Sequence, residues 1–497
     1  MVDGMSRVAF ELRSPASREA ATPRRRVALA VGLFAAACGT GGRSDDGGAP
    51  SPEVVRAGPA VRYDAVLSDD AATLDVVVRV PGLAAGDLEA EEPRLAEIVR
   101  DLRPAGPDAV AYRVPLDALA ERRGRFADPW RAGRELVFSP ELLWLRPRLR
   151  REGDAKATID LPAGVHLVTP WPDVEPPRRT ARGGVRRVLA RPASADAFGA
   201  RWALVEREPA SFDVDGLDVV VAGLGAAARD VDAMTPWIRR SVEGAVALYG
   251  RLAAPRLRVI VVPGGFGRDV FSFGMAFRGG GGAVVLQRAP GASLARLEDD
   301  CVAVHEILHL GLPPTARGEA WFDEGFTQYA TELVRARIGA RTEIETWRAL
   351  LDGFDRGRAD DRGETLDALS ATMDAVHAYH RVYWSGAAVA LRCDLALRDA
   401  SGDRTSLDDL LRELAARHGA APRPLSRQEL FVAFDAIAPA VPLRRLCEAA
   451  LASAAFPDVA AGLEDLGVRR DAAGRVALDD AAPRAARRRA MTAPAAR

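Results

Sequence analysis

The sequence predicts a multidomain α+β protein in which an N-terminal β-rich domain precedes a mixed domain and a C-terminal set of helices. Its 497 residues are too many for one compact core. β-Branched and aromatic runs dominate up to residue 222, whereas helical periodicity alternates with strand-like runs after it. Hydrophobic residues make up 48% of the chain and charged residues 28%, which is ordinary for a globular protein.

Charge and cysteine content exclude two functional classes. The net charge of −1 creates no global field that favours nucleic acid, so no nucleic-acid partner is expected. The four cysteines form no CxxC pair, and a cysteine-based zinc cluster is therefore not expected. Three of them lie in helix-like stretches and are predicted to be small buried hydrophobic residues, with a disulfide between two of them left open: Cys301, Cys393 and Cys447.

Residues 1–37 have the pattern of an export signal. Arginines at 24–26 precede the apolar run Val27–Ala37, which is too short to span a bilayer and fits a signal-peptide core. Small residues before Cys38 resemble a bacterial lipobox, so Cys38 is predicted to carry a lipid that anchors the protein to the membrane. An ordinary signal peptide cleaved nearby is the alternative. Residues 38–58 are rich in Gly, Ser, Pro and Asp and are predicted to be a flexible tether.

The predicted N-terminal β domain covers residues 59–222. Its strand-like runs are bounded by Pro, Gly and Asp, and only the region near 92–102 suggests a helix. The runs are LDVVVRV (74–80), RELVFSPELLWL (134–145), VHLVTPW (165–171) and LDVVVAG (217–223).

Residues 223–398 are predicted to form the mixed domain, residues 399–481 a helical region and residues 482–497 a disordered basic tail. The tail is assigned to disorder because it has few large apolar side chains. Within the mixed domain Ser293 is the predicted N-cap of a helix. The predicted elements are helices at 228–252, 293–311 and 319–339 and strands at 256–264 and 282–288.

The stretch HEILH at residues 305–309 contains the residues predicted to bind a metal ion and to act as a base. On a helix His305 and His309 lie one turn apart on the same face, so both imidazoles can reach one metal ion. Zn²⁺ accepts imidazole nitrogen readily, and Glu306 is close enough to act as a base towards a water at an open position. The flanking residues make this helix apolar nearly all round, which favours buried, metal-bound histidines over surface histidines on an amphipathic helix.

Glu324 is the predicted third ligand. The chain breaks at 311–314 and starts a new helix near Glu319, so the fourteen residues between His309 and Glu324 allow it to turn back. Aromatic neighbours should pack that second helix onto the core and fix one carboxylate inward. Asp323 and Glu319 are rival ligands on the same stretch.

Two segments carry a resemblance to a known family. HExxH followed by WFDEGFTQY (321–329), and the segment VYWSGAAVALRCDLALRDASGDRTSLDDLLRELAARHG (382–419), resemble the gluzincin metallopeptidases. Aminopeptidase N relatives share the first motif, and the glycyl aminopeptidase family is more similar because its Y-x-K-G segment resembles the second. The resemblance covers residues 230–440 and implies a thermolysin-like catalytic domain at 223–398, one Zn²⁺ per chain and a peptide substrate.

The resemblance also implies roles for individual residues. Tyr383 aligns with the tyrosine of Y-x-K-G and would donate a hydrogen bond to the developing oxyanion. Thr331 and Glu332 are candidates to orient a ligand histidine. Residues just before Tyr383 could assist it, although each is more often a helix-surface or core residue: His377, Tyr379 and His380.

Three departures from the family pattern stand out. The spacing from His309 to Glu324 is shorter than in aminopeptidase N relatives, and Ser385 replaces the lysine of Y-x-K-G. Relatives bind the substrate amine with a glutamate on a glycine-rich edge strand, but the corresponding stretch FRGGGGAVVLQR (277–288) has no acid. Its backbone could still accept a peptide as an added strand, and the predicted substrate-binding residues are Gly280, Gly281, Gly282 and Ala283.

The sequence therefore predicts a lipid-anchored, zinc-dependent peptidase of the bacterial envelope that faces the periplasm or the cell exterior. Two alternatives remain: a hydrolase of non-peptide amides or modified cell-wall peptides on the same centre, and a non-catalytic binding lipoprotein with a structural zinc. Glu306 argues against the second alternative, because a structural zinc site needs no free base. Substrate sequence, endo- or exopeptidase action and oligomeric state are not determined.

Overall fold

The computed structural model describes residues 61–90, 93–120, 130–147, 155–191, 200–265, 269–421 and 423–494. The predicted signal peptide, the tether and the lipidation site at Cys38 lie outside these residues. In the described part of the chain, no helix combines the length and the apolar character needed to cross a bilayer.

Strands dominate the first part of the described chain, as predicted. They are accompanied by the short helices α1 (Pro93–Ile98) and α2 (Asp117–Ala120). The strands are β1 (Arg62–Leu67), β2 (Thr73–Arg79), β3 (Leu88–Ala90), β4 (Arg100–Pro104), β5 (Ala109–Pro115), β6 (Trp130–Ala132), β7 (Glu135–Phe138), β8 (Leu145–Pro147), β9 (Ala155–Leu161), β10 (His166–Val168), β11 (Asp173–Arg179), β12 (Val185–Arg191) and β13 (Trp202–Val205).

Two sheets enclose the core of this first part. The larger has the order β11-β12-β9-β1-β2-β5-β4 and the smaller β10-β13-β7-β6. Buried and less buried residues alternate along β2 and β9, so one face of the larger sheet is packed. Trp202 lies at the centre, with its ring centroid 6.1 Å from that of Trp144 and 4.9 Å from that of Trp171.

The mixed domain is built on a third sheet with the order β14-β15-β16-β18-β17. Its strands are β14 (Ala210–Val214), β15 (Leu217–Gly223), β16 (Arg256–Pro263), β17 (Phe271–Phe277) and β18 (Gly282–Arg288). β15, β16 and β18 run parallel, while β14 and β17 are antiparallel edge strands. The predicted boundary at 222/223 is therefore wrong, because β14 and β15 belong to this sheet and not to the N-terminal domain.

Helices make up most of the remaining described chain. α4 and α5 carry the predicted metal ligands. The helices are α3 (Val231–Tyr249), α4 (Val302–His309), α5 (Ala320–Arg337), α6 (Glu343–Ala359), α7 (Leu366–Val376), α8 (Tyr379–Ser401), α9 (Leu407–His418), α10 (Arg427–Ile437), α11 (Leu443–Leu451), α12 (Ala460–Asp465) and α13 (Ala485–Thr492), and a hairpin of β19 (Val468–Arg470) and β20 (Val476–Leu478) precedes the last.

The helix predicted at 293–311 is divided in two. Ser293 caps a 3-10 helix at 294–299 by accepting a hydrogen bond from the Ala295 N–H. Asp300 then adopts an extended backbone, and its carboxylate accepts hydrogen bonds from the N–H groups of Ala303 (3.2 Å) and Phe271 (3.0 Å). This one side chain starts α4 and ties it to the beginning of β17.

The prediction of a disordered tail from residue 482 is wrong for its described part. α13 docks on the helical region through Arg488, whose side chain is 1% exposed. Arg488 donates hydrogen bonds to the Glu343 carboxylate (2.8 Å) and to the carbonyl oxygens of Leu466 and Asp479 (3.1 and 3.0 Å). Buried arginine pairs, together with the buried Met491, compensate for the scarcity of large apolar side chains in the tail.

The β-rich part and the mixed domain share a small apolar core. Residues of the smaller sheet pack on residues of the third sheet and on Leu224, which directly follows β15: Val137, Val168, Ala203 and Val205 against Ala222, Leu224, Ile260 and Val262. Arg258 of β16 also donates a hydrogen bond to the carbonyl of Thr169 (2.9 Å). This packing positions the β-rich part beside the third sheet, whose edge strand β17 borders α4.

Candidate metal centre

α4 and α5 bring His305, His309 and Glu324 together. The Nε2 atoms of His305 and His309 lie 3.1 and 3.4 Å from one Glu324 carboxylate oxygen. One ligand atom from each residue can be chosen so that all three lie within 4.8 Å of one another. The side chains are only 11%, 9% and 21% exposed, respectively, so the cluster is largely shielded from solvent.

The chain segments around α4 fix its C-terminal end, where His309 lies. Gly311 lies so close to Tyr249 that an added Cβ would be 2.1 Å from the ring, and the Tyr249 hydroxyl donates to the Leu308 carbonyl (3.0 Å). Arg278 donates hydrogen bonds to the carbonyls of His309 and Leu312. These contacts satisfy carbonyl groups that a helix end leaves unpaired.

Each histidine is oriented by an oxygen behind it. The Thr331 hydroxyl donates to the Thr327 carbonyl (2.7 Å), so its oxygen is free to accept from Nδ1–H of His305 at 3.3 Å. Nδ1 of His309 lies 3.3 Å from an Asp323 carboxylate oxygen. A proton on both Nδ1 atoms leaves both Nε2 lone pairs directed at the space beside Glu324.

In the structure, Glu324 lies in the histidine cluster, whereas the two alternative ligands predicted from the sequence, Asp323 and Glu319, have other partners. Glu319 is buried in a pair with Arg427 (3.0 Å) and accepts from the Trp321 indole (2.7 Å), so it is not part of the cluster. Asp323 lies behind His309 and orients it. Glu332 was a candidate for that orienting role, but it pairs instead with Arg341 (2.6 Å).

The donor set fits a metal ion such as zinc. Two imidazole nitrogens and one carboxylate oxygen are the three ligands of an open catalytic zinc site. A tetrahedron with bonds of about 2.0–2.1 Å has edges of about 3.3 Å, and the nitrogen–oxygen separations of 3.1 and 3.4 Å agree with that size. In the metal-free cluster, burial raises the pKa of Glu324, but His309 and His305 outweigh it and hold this pKa far below its usual range.

Glu306 lies on α4 between the metal cluster and the edge strand. Burial raises the pKa of its carboxyl group, and the two neighbouring histidines oppose this effect. A Cβ atom added at Gly274 of β17 would lie 2.4 Å from Cγ of Glu306. Only glycine at this position therefore allows β17 to lie against the carboxylate.

Tyr383 reaches the same centre from α8. Its ring is nearly parallel to that of His305, at an angle of 8° and a centroid distance of 6.1 Å. Burial and the nearby Glu324 carboxylate raise the pKa of its phenol well above the usual range, so the phenol keeps its proton. The structure thus brings Tyr383, a predicted site residue, next to His305.

The close approach of α5 and α8 depends on two glycines that the sequence motifs contain. A Cβ added at Gly325 would lie 2.4 Å from Cα of Gly386, and one added at Gly386 would lie 2.0 Å from the carbonyl oxygen of Trp321. This contact lets Tyr383 lie beside Glu324.

Other residues near Tyr383 have different surroundings. Tyr379 contacts the Tyr383 ring edge on (6.5 Å), and His377 is the exposed C-cap of α7. Burial and then Arg356 lower the pKa of His380. Ser385, the replacement for lysine, is fully buried, and its hydroxyl has no hydrogen-bond partner among the described residues.

The predicted substrate-binding residues do not lie on the edge strand. Gly280 and Gly281 precede β18, while Gly282 and Ala283 begin it, and β18 is an interior strand. A Cβ at Gly281 would meet Pro170 of the β-rich part. This prediction is therefore wrong: the strand beside Glu306 is β17, with the sequence FSFGMAF. The sequence prediction instead selected residues 280–283, because a run of glycines is typical of the family's edge strand.

Comparison with known proteins shows the fold. No protein-family profile and no curated protein matches the sequence. An aminopeptidase N family protein from Idiomarina loihiensis superposes with a TM-score of 0.61 at 15% identity, over 82% of this chain and 78% of that one. The chain thus shares the fold of that protein. Yeast LTA4 hydrolase in complex with bestatin matches at 12% identity over 79% of this chain and 66% of that one, but its TM-score of 0.45 carries no structural conclusion.

Proposed function

We propose that this protein is a zinc-dependent peptidase of the gluzincin type, with a thermolysin-like catalytic domain and one zinc held by His305, His309 and Glu324. The observation that carries the proposal is the convergence of these three groups beside a separate carboxylate, Glu306. The fold shared with an aminopeptidase N family protein supports it. The narrower resemblance to glycyl aminopeptidases rests on the motifs alone.

The residues of the site suit amide hydrolysis. A zinc ion held by His305, His309 and Glu324 would act as a Lewis acid and would lower the pKa of a bound water. Glu306 accepts the proton of the attacking water and passes it to the leaving amine. Tyr383, with its proton retained, donates a hydrogen bond to the oxyanion that develops on the substrate. β17 is an edge strand of the third sheet as far as that sheet is described, and an extended peptide could pair with such a strand.

The variant Glu306→Gln tests the proposal. It removes the base but none of the three metal ligands, so we expect bound zinc to remain near one per chain while turnover of a peptide mixture falls by roughly 10²- to 10⁴-fold. Glu298→Gln is the control, because that carboxylate is exposed and pairs with Arg240. Equal activity in both variants, or no peptide cleavage by the wild type, would contradict a catalytic role and favour a structural metal.

From the sequence alone we also propose export and lipid attachment at Cys38. The variant Cys38→Ser is then expected to move the protein from the membrane fraction to the soluble fraction of its bacterial host. An unchanged distribution would contradict the lipid anchor without affecting the proposed chemistry.

A further inference from the structure

Two of the cysteines meet where α8 packs on α11. The sulfur atoms of Cys393 on α8 and Cys447 on α11 lie 3.9 Å apart, close enough for one thiol to donate a hydrogen bond to the other. Both residues are 0% exposed, and they are 54 positions apart in the sequence. Both are thiols in the structure, and the sequence alone left open which of the cysteines could pair. This contact selects one pair.

The surroundings of the two sulfur atoms allow a closer approach. Ala390 lies one turn before Cys393 and Ala450 lies one turn after Cys447, and both alanines are buried. Small side chains on the same helix faces as the cysteines let the two backbones lie near each other. The sulfur atoms of a disulfide are about 2.05 Å apart, so each sulfur has to move by only about 1 Å. Rotation about the Cα–Cβ bonds of both cysteines can supply this movement.

A bond between these cysteines would close a long loop of the chain. The segment between them contains α9 and α10, and α8 also carries Tyr383 of the candidate metal centre. Joining residues 54 positions apart removes conformational freedom from the unfolded chain, and this is expected to raise the folding equilibrium constant by about 10³-fold. The bond would therefore tie the later helices to the helix that carries Tyr383.

We propose that Cys393 and Cys447 form a structural disulfide that joins α8 to α11. One thiolate attacks the disulfide of an oxidant, such as oxidised glutathione or a disulfide-exchange protein, which gives a mixed disulfide and releases one thiol of the oxidant. The second thiolate then displaces the other half of the oxidant. Two protein thiols thus become one disulfide, while two electrons and two protons pass to the oxidant, which leaves as two thiols.

The burial of the pair determines when the bond forms. The hydrogen bond with Cys393 and then burial raise the pKa of the Cys447 thiol well above its usual range, so little thiolate is present in the folded protein. An oxidant also cannot reach sulfur atoms whose residues are 0% exposed. We therefore expect the bond to form during folding, before α11 docks, and to resist reductants afterwards. Disulfides persist in oxidising compartments, which is consistent with the export proposed from residues 1–37.

Refolding in glutathione buffers tests the proposal on the wild-type chain. Reduced, unfolded protein is incubated to constant composition over a series of oxidised glutathione concentrations at fixed reduced glutathione, either refolded or kept in urea, and free thiols are then alkylated. Cleavage after arginine separates residues 393–398 from residues 446–469 unless a disulfide joins them, and the joined peptide is lighter than their sum by two hydrogen atoms.

We expect the refolded protein to become half-oxidised at about 10³-fold less oxidised glutathione than the unfolded chain, because folding and the disulfide stabilise each other by the same factor. A half-oxidised point that is the same for the refolded and the unfolded chain would overturn the proposal. A disulfide that joins Cys301 to either of the other two cysteines in the refolded protein would also overturn it.

A second measurement compares stability with and without reductant. Reduction should lower the folding equilibrium constant of the wild type by about 10³-fold and leave that of Cys447→Ala unchanged, because this variant has no bond to lose. Cys301→Ala is the matched control: Cys301 precedes α4 and belongs to neither helix, so this variant should respond to reductant as the wild type does. A wild-type stability that does not respond to reductant would contradict the proposal. The first measurement needs only the wild type, so it stands even if a variant fails to fold.

Discussion

At the scale of single residues, the candidate metal centre depends on oxygens that are not themselves predicted metal ligands. The Thr331 hydroxyl and the Asp323 carboxylate each lie 3.3 Å from Nδ1 of a ligand histidine. They hold both rings in the tautomer that leaves Nε2 free. The surroundings differ in charge: Nδ1 of His309 lies near the Asp323 carboxylate and, at 3.4 Å, the Thr327 hydroxyl, whereas Nδ1 of His305 lies near the neutral Thr331 hydroxyl.

Asp323→Asn is expected to weaken zinc binding by about 10- to 100-fold, because the amide keeps a hydrogen-bond acceptor but loses the negative charge behind His309. Competition with a chromogenic chelator measures this affinity. Asp299→Asn is the control, since that carboxylate is exposed and pairs with Arg296. An unchanged affinity would show that Asp323 does not orient the ligand.

Much of the site could be predicted from the sequence because helix periodicity fixes where neighbouring side chains point. The spacing of His305 and His309 requires only that the helix forms. The choice of Glu324 over Asp323 depends on the rotation of α5, which its buried aromatic residues set. The strand beside Glu306 could not be found in this way, because β17 is identified by its pairing with β18 and not by its own composition.

At the scale of elements, the crossing of α5 and α8 determines whether Tyr383 meets the metal ligands. The glycines of EGF and YWSG remove the side chains that would separate the two helices. The role of these glycines in helix packing is evident only from the contact between α5 and α8, since each motif by itself is compatible with any buried helix.

Gly386→Ala is expected to destabilise the protein by about 1–3 kcal/mol, because the added methyl would lie 2.0 Å from the Trp321 carbonyl oxygen and the helices must separate. Peptidase activity should fall by more than the fraction of unfolded protein explains, because Tyr383 moves with α8. Urea unfolding and kcat measured well below the transition separate the two effects. Gly86→Ala is the control, since an added Cβ there meets nothing within 4 Å; equal effects of both variants would contradict the crossing argument.

The junction between the 3-10 helix and α4 should give a pH-dependent stability. Burial raises the pKa of Asp300 from 3.8 to about 6, against the hydrogen bonds from Phe271 and Ala303 that lower it. The folded state therefore binds this proton more tightly than the unfolded state, and stability is lost as pH rises from about 4 to 6.

Asp300→Asn removes this titration. Relative to the wild type, the variant should gain up to about 3 kcal/mol of unfolding free energy between pH 4 and pH 7. Urea unfolding of both proteins at the two pH values measures this difference. A stability difference that is the same at both values would show that Asp300 titrates normally.

At the scale of the whole molecule, the third sheet and the helical region meet around α4 and α5, and the smaller sheet of the β-rich part packs on the third sheet. Strand patterns predicted the β-rich part, and helical periodicity predicted α3, α5 and most later helices. The predicted boundary at 222/223 is wrong because the sequence of β15 does not indicate that its parallel partner is β16. β16 follows β15 in the chain only after α3. α13 was missed because two of its buried side chains are arginines, Arg487 and Arg488, and only Ala485 and Met491 are buried apolar residues.

Arg488→Ala is expected to lower the free energy of unfolding by about 3 kcal/mol, because it leaves two buried carbonyls and Glu343 without their donor. Arg489→Ala is the matched control: its side chain is 51% exposed, and a change within about 0.5 kcal/mol is expected. Chemical denaturation of both variants compares them directly. Similar stability would mean that α13 is not docked through Arg488.

The most direct measurement is an anomalous difference map, recorded at the zinc absorption edge from crystals of the zinc-loaded protein. The account predicts one peak per chain at about 2.0–2.2 Å from Nε2 of His305, Nε2 of His309 and a carboxylate oxygen of Glu324. A map without a peak between these three groups, or with a zinc whose ligands exclude Glu324, would contradict it.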